Sequence, residues 1–124
     1  MLLKNVLLVA AGGGLGAISR YLGHRWVSTH FPGSFPLGTF LVNIIGCFVI
    51  GLLFGLTVRN TQFSNELKLL FMTGFCGGFT TFSSFTVEGL SLLQQDRFLI
   101  FLLYFTGSVI VGLTVTYLGY LITR

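Results

Sequence analysis

The sequence predicts an all-α integral membrane protein with four transmembrane helices in each subunit, the third of them broken. Of its 124 residues, 53% are hydrophobic and 8% are charged, whereas soluble domains carry about 25% charged residues. One apolar segment contains the stretch GFCGGFTTFSSF, Gly74 to Phe85, whose glycines and hydroxyl side chains do not suit a plain membrane helix. Residues 1–124 are expected to form a single membrane domain, with spans at about 2–26, 37–58, 67–88 and 98–122.

The first predicted span carries a pair of small residues and one cation. Gly12 and Gly16 are four residues apart, a spacing that lets another helix backbone approach closely. Arg20 is either an interfacial arginine that extends toward water, or a cation in the vestibule of a polar pathway, where it would concentrate anions. The loop predicted at residues 24–36 contains His24 and His30, which we expect to be solvated.

The second predicted span has one strongly polar residue, Asn43, in its interior. An amide at membrane depth needs a hydrogen-bond partner within the protein. Two interpretations remain open: Asn43 bonds to a neighbouring helix, or its amide N–H group points at a dehydrated anion. Gly51 and Gly55 give the same span a second close-packing pair.

The third predicted span is broken because clustered glycine lowers helix stability by about 1 kcal/mol per residue relative to alanine. Backbone groups released by a break cannot face lipid, so the break must be buried in protein, line a wet cavity or bind an ion. We place the break around Gly77 to Thr80, where the released carbonyl oxygens would suit a hard cation such as Na⁺ without a carboxylate. Two copies that cross here would enclose one such site on their common axis.

Two phenylalanines follow the predicted break. Phe82 and Phe85 are three residues apart and fall roughly on one helical face. Because the edge of an aromatic ring is positive, edges presented to a pore would favour an anion. The other interpretation is ordinary apolar packing, since the chain contains 14 phenylalanines.

The fourth predicted span places Tyr104 and Ser108 four residues apart, and therefore on one face. Ser108, Gly112 and Thr116 repeat the same spacing. This pattern indicates either a packing stripe of small residues or a ladder of hydroxyl donors along a pore.

Basic residues are divided almost equally between the two sides of the membrane. The four on the side of the termini are Lys4, Arg59, Lys68 and Arg124. The three on the opposite side are Arg20, Arg25 and Arg97. A bias of one charge hardly selects an orientation. Two copies inserted oppositely would form an antiparallel, dual-topology homodimer, with the symmetry that many transporters obtain from inverted repeats.

The residue inventory argues against several functions. The acidic residues, Glu66, Glu88 and Asp96, give no carboxylate pair and no Ser-His-Asp arrangement, so no enzyme is expected. The basic residues occur singly and form no nucleic-acid-binding patch, despite a net charge of +4. Cys47 and Cys76 lie in apolar segments, where we expect them to be packing residues rather than a zinc site.

Three motifs together resemble the Fluc (CrcB) family of bacterial fluoride channels: GGGLGAISRY (12–21), GTFLVNIIGCFVIG (38–51) and GFCGGFTTFSSF (74–85). The resemblance covers all the predicted spans in order, with Ser84 standing where the family often has threonine. It implies a dual-topology homodimer in the lipid of the cell inner membrane. Its two pores would export cytoplasmic fluoride passively and so confer fluoride resistance.

The resemblance also implies roles for individual residues. A structural Na⁺ at the dimer centre would be held by the backbone oxygens of Gly77 and Thr80, and Arg20 would lie at the aqueous vestibule. Fluoride would contact Asn43, Phe82 and Phe85. Further hydroxyls implied to line the pore are Thr81, Ser83, Tyr104 and Ser108.

Two other functions remain open at this point. A small proton-coupled multidrug exporter also has four spans, but it usually uses a carboxylate in the first span, and here no acidic residue precedes Glu66. A non-conducting accessory subunit, held together by its glycine stripes, would pass no fluoride.

Overall fold

The computed structural model describes residues 1–124 and contains only helices and their connections. The elements are α1 (Leu2–His30), α2 (Leu37–Arg59), α3 (Asn65–Leu67), the π-helix π1 (Lys68–Cys76), α4 (Gly77–Phe79), α5 (Ser83–Gln94) and α6 (Phe98–Thr123). Three of these helices, α1, α2 and α6, are long and apolar enough to cross a membrane. The chain is therefore an all-α, multi-pass membrane protein, as the composition predicts.

The first helix is longer than the predicted span and ends at His30. The prediction that His24 and His30 lie in a loop is wrong. Residues 24–30 contain neither glycine nor proline, so nothing in that stretch stops the helix. It ends before Pro32, which disfavours helical geometry in the residue that precedes it.

Glycines bring α1 against the π-helix. A Cβ atom on Gly12 would overlap the Leu70 carbonyl oxygen, and one on Gly16 would overlap that of Phe75. Both glycines are buried. The close approach predicted from their spacing is thus made with π1.

A second glycine contact joins α2 to α6. Cβ atoms on Gly51 and Gly55 would overlap Thr116 and Thr123 of α6. The Thr116 hydroxyl donates to the Cys47 carbonyl at 3.1 Å, and also to Gly112 of its own helix at 2.9 Å. Thr116 therefore acts as a packing residue, in agreement with the first of the two interpretations of the small-residue stripe.

The broken segment runs from α3 through π1 and α4 to α5. Its helix is interrupted at residues 80–82, and Thr80 has the extended backbone of a β-strand residue, with ψ 158°. The interruption begins at the end of the region predicted to break, because Gly77–Phe79 still completes one helical turn. A π-helix commonly marks a functional site, and here it leads directly into the break.

We expect Gly16→Ala to lower the free energy of unfolding by about 1–3 kcal/mol, the usual cost of forcing an extra carbon into a packed interior. Gly14→Ala is the matched control, since a Cβ atom on Gly14 would meet no atom within 4 Å. The control should leave stability unchanged or raise it slightly, because alanine favours a helix more than glycine does. Thermal unfolding of the purified protein in detergent compares the two variants. Equal melting temperatures would contradict the packing of α1 on π1.

Candidate ion-permeation site

Side chains from two other helices hold the backbone at the break. From α1, the Arg20 Nε donates to the Gly78 carbonyl oxygen at 2.9 Å. From α2, the Asn43 Nδ2 donates to the Thr81 carbonyl at 3.0 Å, while Asn43 Oδ1 accepts from the Thr81 N–H at 2.8 Å. Asn43 thus satisfies both backbone groups of one non-helical residue, the interhelical role that the sequence left open.

Hydroxyl groups within the break complete this pairing. The Thr80 hydroxyl donates to the Cys76 carbonyl at 2.9 Å. The Thr81 hydroxyl accepts from the Ser84 N–H at 3.1 Å, and so caps the first turn of α5. The Thr81–Ser84 contact replaces a backbone hydrogen bond that the interrupted helix lacks. The Thr80 hydroxyl instead adds a second donor to the Cys76 carbonyl, which also accepts from the Thr80 N–H.

The carbonyl oxygens of Gly77 and Thr80, at the break, accept no hydrogen bond from the chain. The amides within helical reach bond elsewhere. For Gly77 these are the Thr80 N–H, bonded to Cys76, and the Thr81 N–H, bonded to Asn43; for Thr80 it is the Ser84 N–H, bonded to the Thr81 hydroxyl. Backbone oxygens without donors fit a hard cation, which takes oxygen ligands. The chain has no cluster of His, Cys, Asp or Glu that could hold a metal ion, so Na⁺ would have to be held by main-chain oxygens here.

Most of the predicted site residues border one open groove of about 480 Å³, which we call the break groove. Residues from α2, the broken segment and α6 meet in it. The predicted residues among its lining are Asn43, Gly77, Thr80, Thr81, Phe82, Phe85 and Ser108. The fold therefore gathers onto one surface residues from three separate parts of the sequence.

The two phenylalanines of the groove differ in environment. The side chain of Phe82 is 71% exposed, whereas Phe85 is buried. Their ring centroids are 5.8 Å apart, and Phe85 meets Tyr104 edge to face at 4.9 Å. Phe85 is fixed by packing between α5 and α6, while Phe82 presents its ring to the groove.

Two buried hydroxyls on α6, those of Tyr104 and Ser108, make no hydrogen bond of standard geometry within the chain, although the Tyr104 hydroxyl lies close to the Thr39 side chain. A buried polar group without a partner costs about 1–3 kcal/mol, so such groups usually bond to water or a ligand. Ser108 borders the break groove. Tyr104 is fully buried beside Thr39 and Glu88. These are the two hydroxyls whose shared face the sequence predicts.

A second, polar space lies on the Arg20 side of the break. This arginine cavity, of about 150 Å³, is bordered by Arg20, Tyr21, His24, Thr39, Val42, Thr81 and Ser84. Thr81 borders both the arginine cavity and the break groove. Arg20 therefore has two functions in the fold: it pairs the Gly78 carbonyl and places a positive charge in a polar space.

Three polar residues that were not predicted from the sequence lie at the site: Thr39, Ser84 and Glu88. One residue that was predicted, Ser83, does not. Ser83 is exposed and borders neither space, whereas Ser84 borders the arginine cavity. The Thr39 hydroxyl donates to the Glu88 carboxylate across α2 and α5. Helical spacing could have found these residues, since Thr39 lies four residues before Asn43 and Ser84 four before Glu88.

The protein crosses the membrane several times, and its broken helix lies beside a polar cavity, with the backbone at the break hydrogen-bonded by side chains. This architecture is typical of ion-conducting and transport proteins. Comparison with known proteins is more specific. The family described as CrcB-like protein, Camphor Resistance (CrcB) matches residues 7–120. The chain belongs to this family.

Relatives from distant organisms match nearly the whole chain. A protein of Gloeothece citriformis is 48% identical over 97% of this chain and 98% of its own length. A protein of Chlorobium luteolum is 49% identical over 93% of this chain and 88% of its own length. A protein of Pyrococcus abyssi is 41% identical over 100% of this chain and 99% of its own length. Each is named fluoride-specific ion channel FluC.

We expect Asn43→Ala to lower the free energy of unfolding by about 2–4 kcal/mol, because it leaves both the Thr81 N–H and the Thr81 carbonyl without a partner. Ser83→Ala is the control, since the exposed Ser83 hydroxyl makes only a 3.4 Å contact with the Thr81 hydroxyl. It should change stability by less than about 0.5 kcal/mol. Equilibrium unfolding in detergent measures both, and an Asn43→Ala variant as stable as Ser83→Ala would contradict the pairing.

Proposed function

We propose that this protein is a passive, fluoride-selective channel that exports fluoride from the cytoplasm across the cell inner membrane. The observation that carries the proposal is the name shared by full-length relatives at 41–49% identity. The geometry of the site supports it independently. Around the break, two kinds of group remain free: hydrogen-bond donors, an aromatic side chain and a cation, which favour an anion, and the Gly77 and Thr80 carbonyl oxygens, which favour a cation.

The proposed path passes the break from the arginine cavity to the break groove. An anion attracted by Arg20 would meet the Thr81 hydroxyl, which borders both spaces. In the groove it would be contacted by the second N–H of Asn43, by the Ser108 hydroxyl and by the edge of Phe82. The Asn43 amide has two N–H groups, and Thr81 takes one of them. Ser83, exposed outside both spaces, has at most a peripheral role in this path.

The unsatisfied Ser108 hydroxyl is the strongest local support for a path through the groove. It is buried, faces the groove and lacks a partner. A dehydrated fluoride ion is a strong hydrogen-bond acceptor and would supply the missing partner. Tyr104, packed behind Phe85, would act by fixing that ring and by offering its own unpaired hydroxyl near Glu88.

Export by this mechanism needs no coupling to a proton gradient. A cytoplasm that is electrically negative favours the exit of an anion by about 2.3 kcal/mol per charge for each 100 mV. Fluoride that enters as neutral HF and dissociates inside would therefore leave through a passive pore. A passive pore also accounts for the absence of a carboxylate from α1, which a proton-coupled exporter would ordinarily use.

The functional unit is proposed to be an antiparallel, dual-topology homodimer in which the broken segment makes the fourth crossing of each subunit. Main-chain polar groups at membrane depth must face protein or a cavity, and the break groove is open in the single chain. A second copy placed there would cover it. The free Gly77 and Thr80 carbonyls of both subunits would then meet on the two-fold axis and hold one structural Na⁺.

We expect Phe82→Ile to slow fluoride efflux about five- to twelvefold, because an aromatic edge contact of about 1–1.5 kcal/mol to the ion is lost. Phe98→Ile is the matched control: Phe98 is also exposed, at 58%, but borders none of the spaces described. Electrode-monitored fluoride release from reconstituted liposomes, with chloride for comparison, gives the rates. Wild-type liposomes that release no fluoride would overturn the proposed function. Equal rates for the two variants would remove Phe82 from the path.

We expect Na⁺ to stabilise the dimer, because a cation bound only by the assembled state shifts the equilibrium toward that state. Dimer fraction and melting temperature in detergent should both fall when sodium is replaced by choline at equal ionic strength. Carbonyl ligands cannot be removed by mutation, so the comparison of cations is the direct test. Values that do not depend on the cation would contradict a structural Na⁺.

A further inference from the structure

His24 lies at the boundary between two polar spaces. It borders the arginine cavity and also a larger space of about 490 Å³, here called the outer cavity, which is bordered by Glu88, Ser28 and the residues that connect α1 to α2. It is the one residue that the two share. An ion moving from the outer cavity to Arg20 would therefore pass this side chain.

Packing fixes the imidazole ring in that position. A Cβ atom on Gly38 would lie 2.8 Å from the His24 Cδ2 atom and 3.2 Å from its Nε2 atom, so the ring rests directly on the backbone of α2. The next residue, Thr39, donates to the Glu88 carboxylate. The His24 ring is thus held beside the Thr39–Glu88 pair.

The charges around His24 are few. From α1 the titratable groups are Arg20 and Tyr21; from α5 there is Glu88, and from α6 Tyr104, which lies beside Glu88. The start of α2 and the preceding connection present only uncharged residues to the two cavities. When His24 is neutral, the positive charge of Arg20 and the negative charge of Glu88 cancel. With His24 protonated, the passage carries one surplus positive charge.

We propose that His24 makes anion permeation pH-sensitive: its protonated ring offsets the repulsion of an anion by Glu88, and with Arg20 draws the anion from the outer cavity into the arginine cavity. This inference rests on the proposed function of the chain as an anion channel. Histidine changes its charge within the physiological pH range, and a charged, partly enclosed passage raises the local concentration of counter-ions. Conduction would therefore rise under the acidic conditions in which fluoride enters cells as HF.

The test is the fluoride current across planar bilayers at fixed fluoride, between about pH 8 and about pH 6, where histidine titrates. HF that crosses the lipid carries no current and does not contribute. We expect the wild-type conductance to rise about fivefold on acidification, a coupling of about 1 kcal/mol. His24→Gln should keep the lower conductance at both pH values, and His24→Lys the higher one. His30→Gln is the matched control, because His30 is exposed and borders none of the three spaces; it should respond as the wild type does.

Two results would overturn the inference: a wild-type current that is equal at both pH values, or a pH response that survives in His24→Gln. Either result leaves the proposed function standing, because a fluoride current would still have been measured. If no fluoride current flows at any pH, the proposed function itself fails. If His24→Gln does not fold, His24→Lys decides alone, since a conductance that still rises with acidification contradicts the role of His24.

Discussion

The structure depends on how the backbone is paired at residues 80–82. An interrupted helix at membrane depth exposes N–H and C=O groups that lipid cannot satisfy, each at a cost of several kcal/mol. Asn43 satisfies both groups of Thr81, and Arg20 satisfies the Gly78 carbonyl. These two side chains offset part of that cost and so stabilise the interrupted conformation of the segment.

Such pairing requires the helices to lie very close to the break, and glycine makes this approach sterically feasible. On α1, Gly13 and Gly16 lie against Gly78 and Phe79; on α2, the Gly46 backbone lies against Thr80. A side chain at Gly16, Gly46 or Gly78 would overlap the facing element. It would push the elements apart and take Arg20 or Asn43 out of hydrogen-bond reach. The glycine contacts and the polar contacts are therefore parts of one arrangement, in which neither is stable without the other.

The same arrangement explains how an apolar chain of 8% charged residues can carry a polar pathway. The polar side chains that stabilise the break still have groups free to contact an ion. Asn43 retains one N–H, Arg20 retains the rest of its guanidinium group, and the Thr81 hydroxyl borders both neighbouring spaces. Conduction and folding thus draw on the same residues, so substitutions here affect stability together with flux. Phe82 is largely exposed, and its side chain pairs no backbone group. A substitution of Phe82 therefore distinguishes an effect on flux from an effect on stability better than a substitution of Asn43 does.

The sequence by itself determined the fold class, the presence of a break near Gly77 to Thr80 and most of the residues that surround it. Composition and residue spacing are local signals, and they report what a membrane helix can and cannot contain. Only the tertiary structure decided which partners those residues have: that Asn43 pairs with Thr81, that Ser84 rather than Ser83 enters the polar space, and that His24 belongs to a helix beside Glu88. These partners lie as many as 64 residues away along the chain. They are brought together by close packing between helices, a long-range effect that no local pattern encodes.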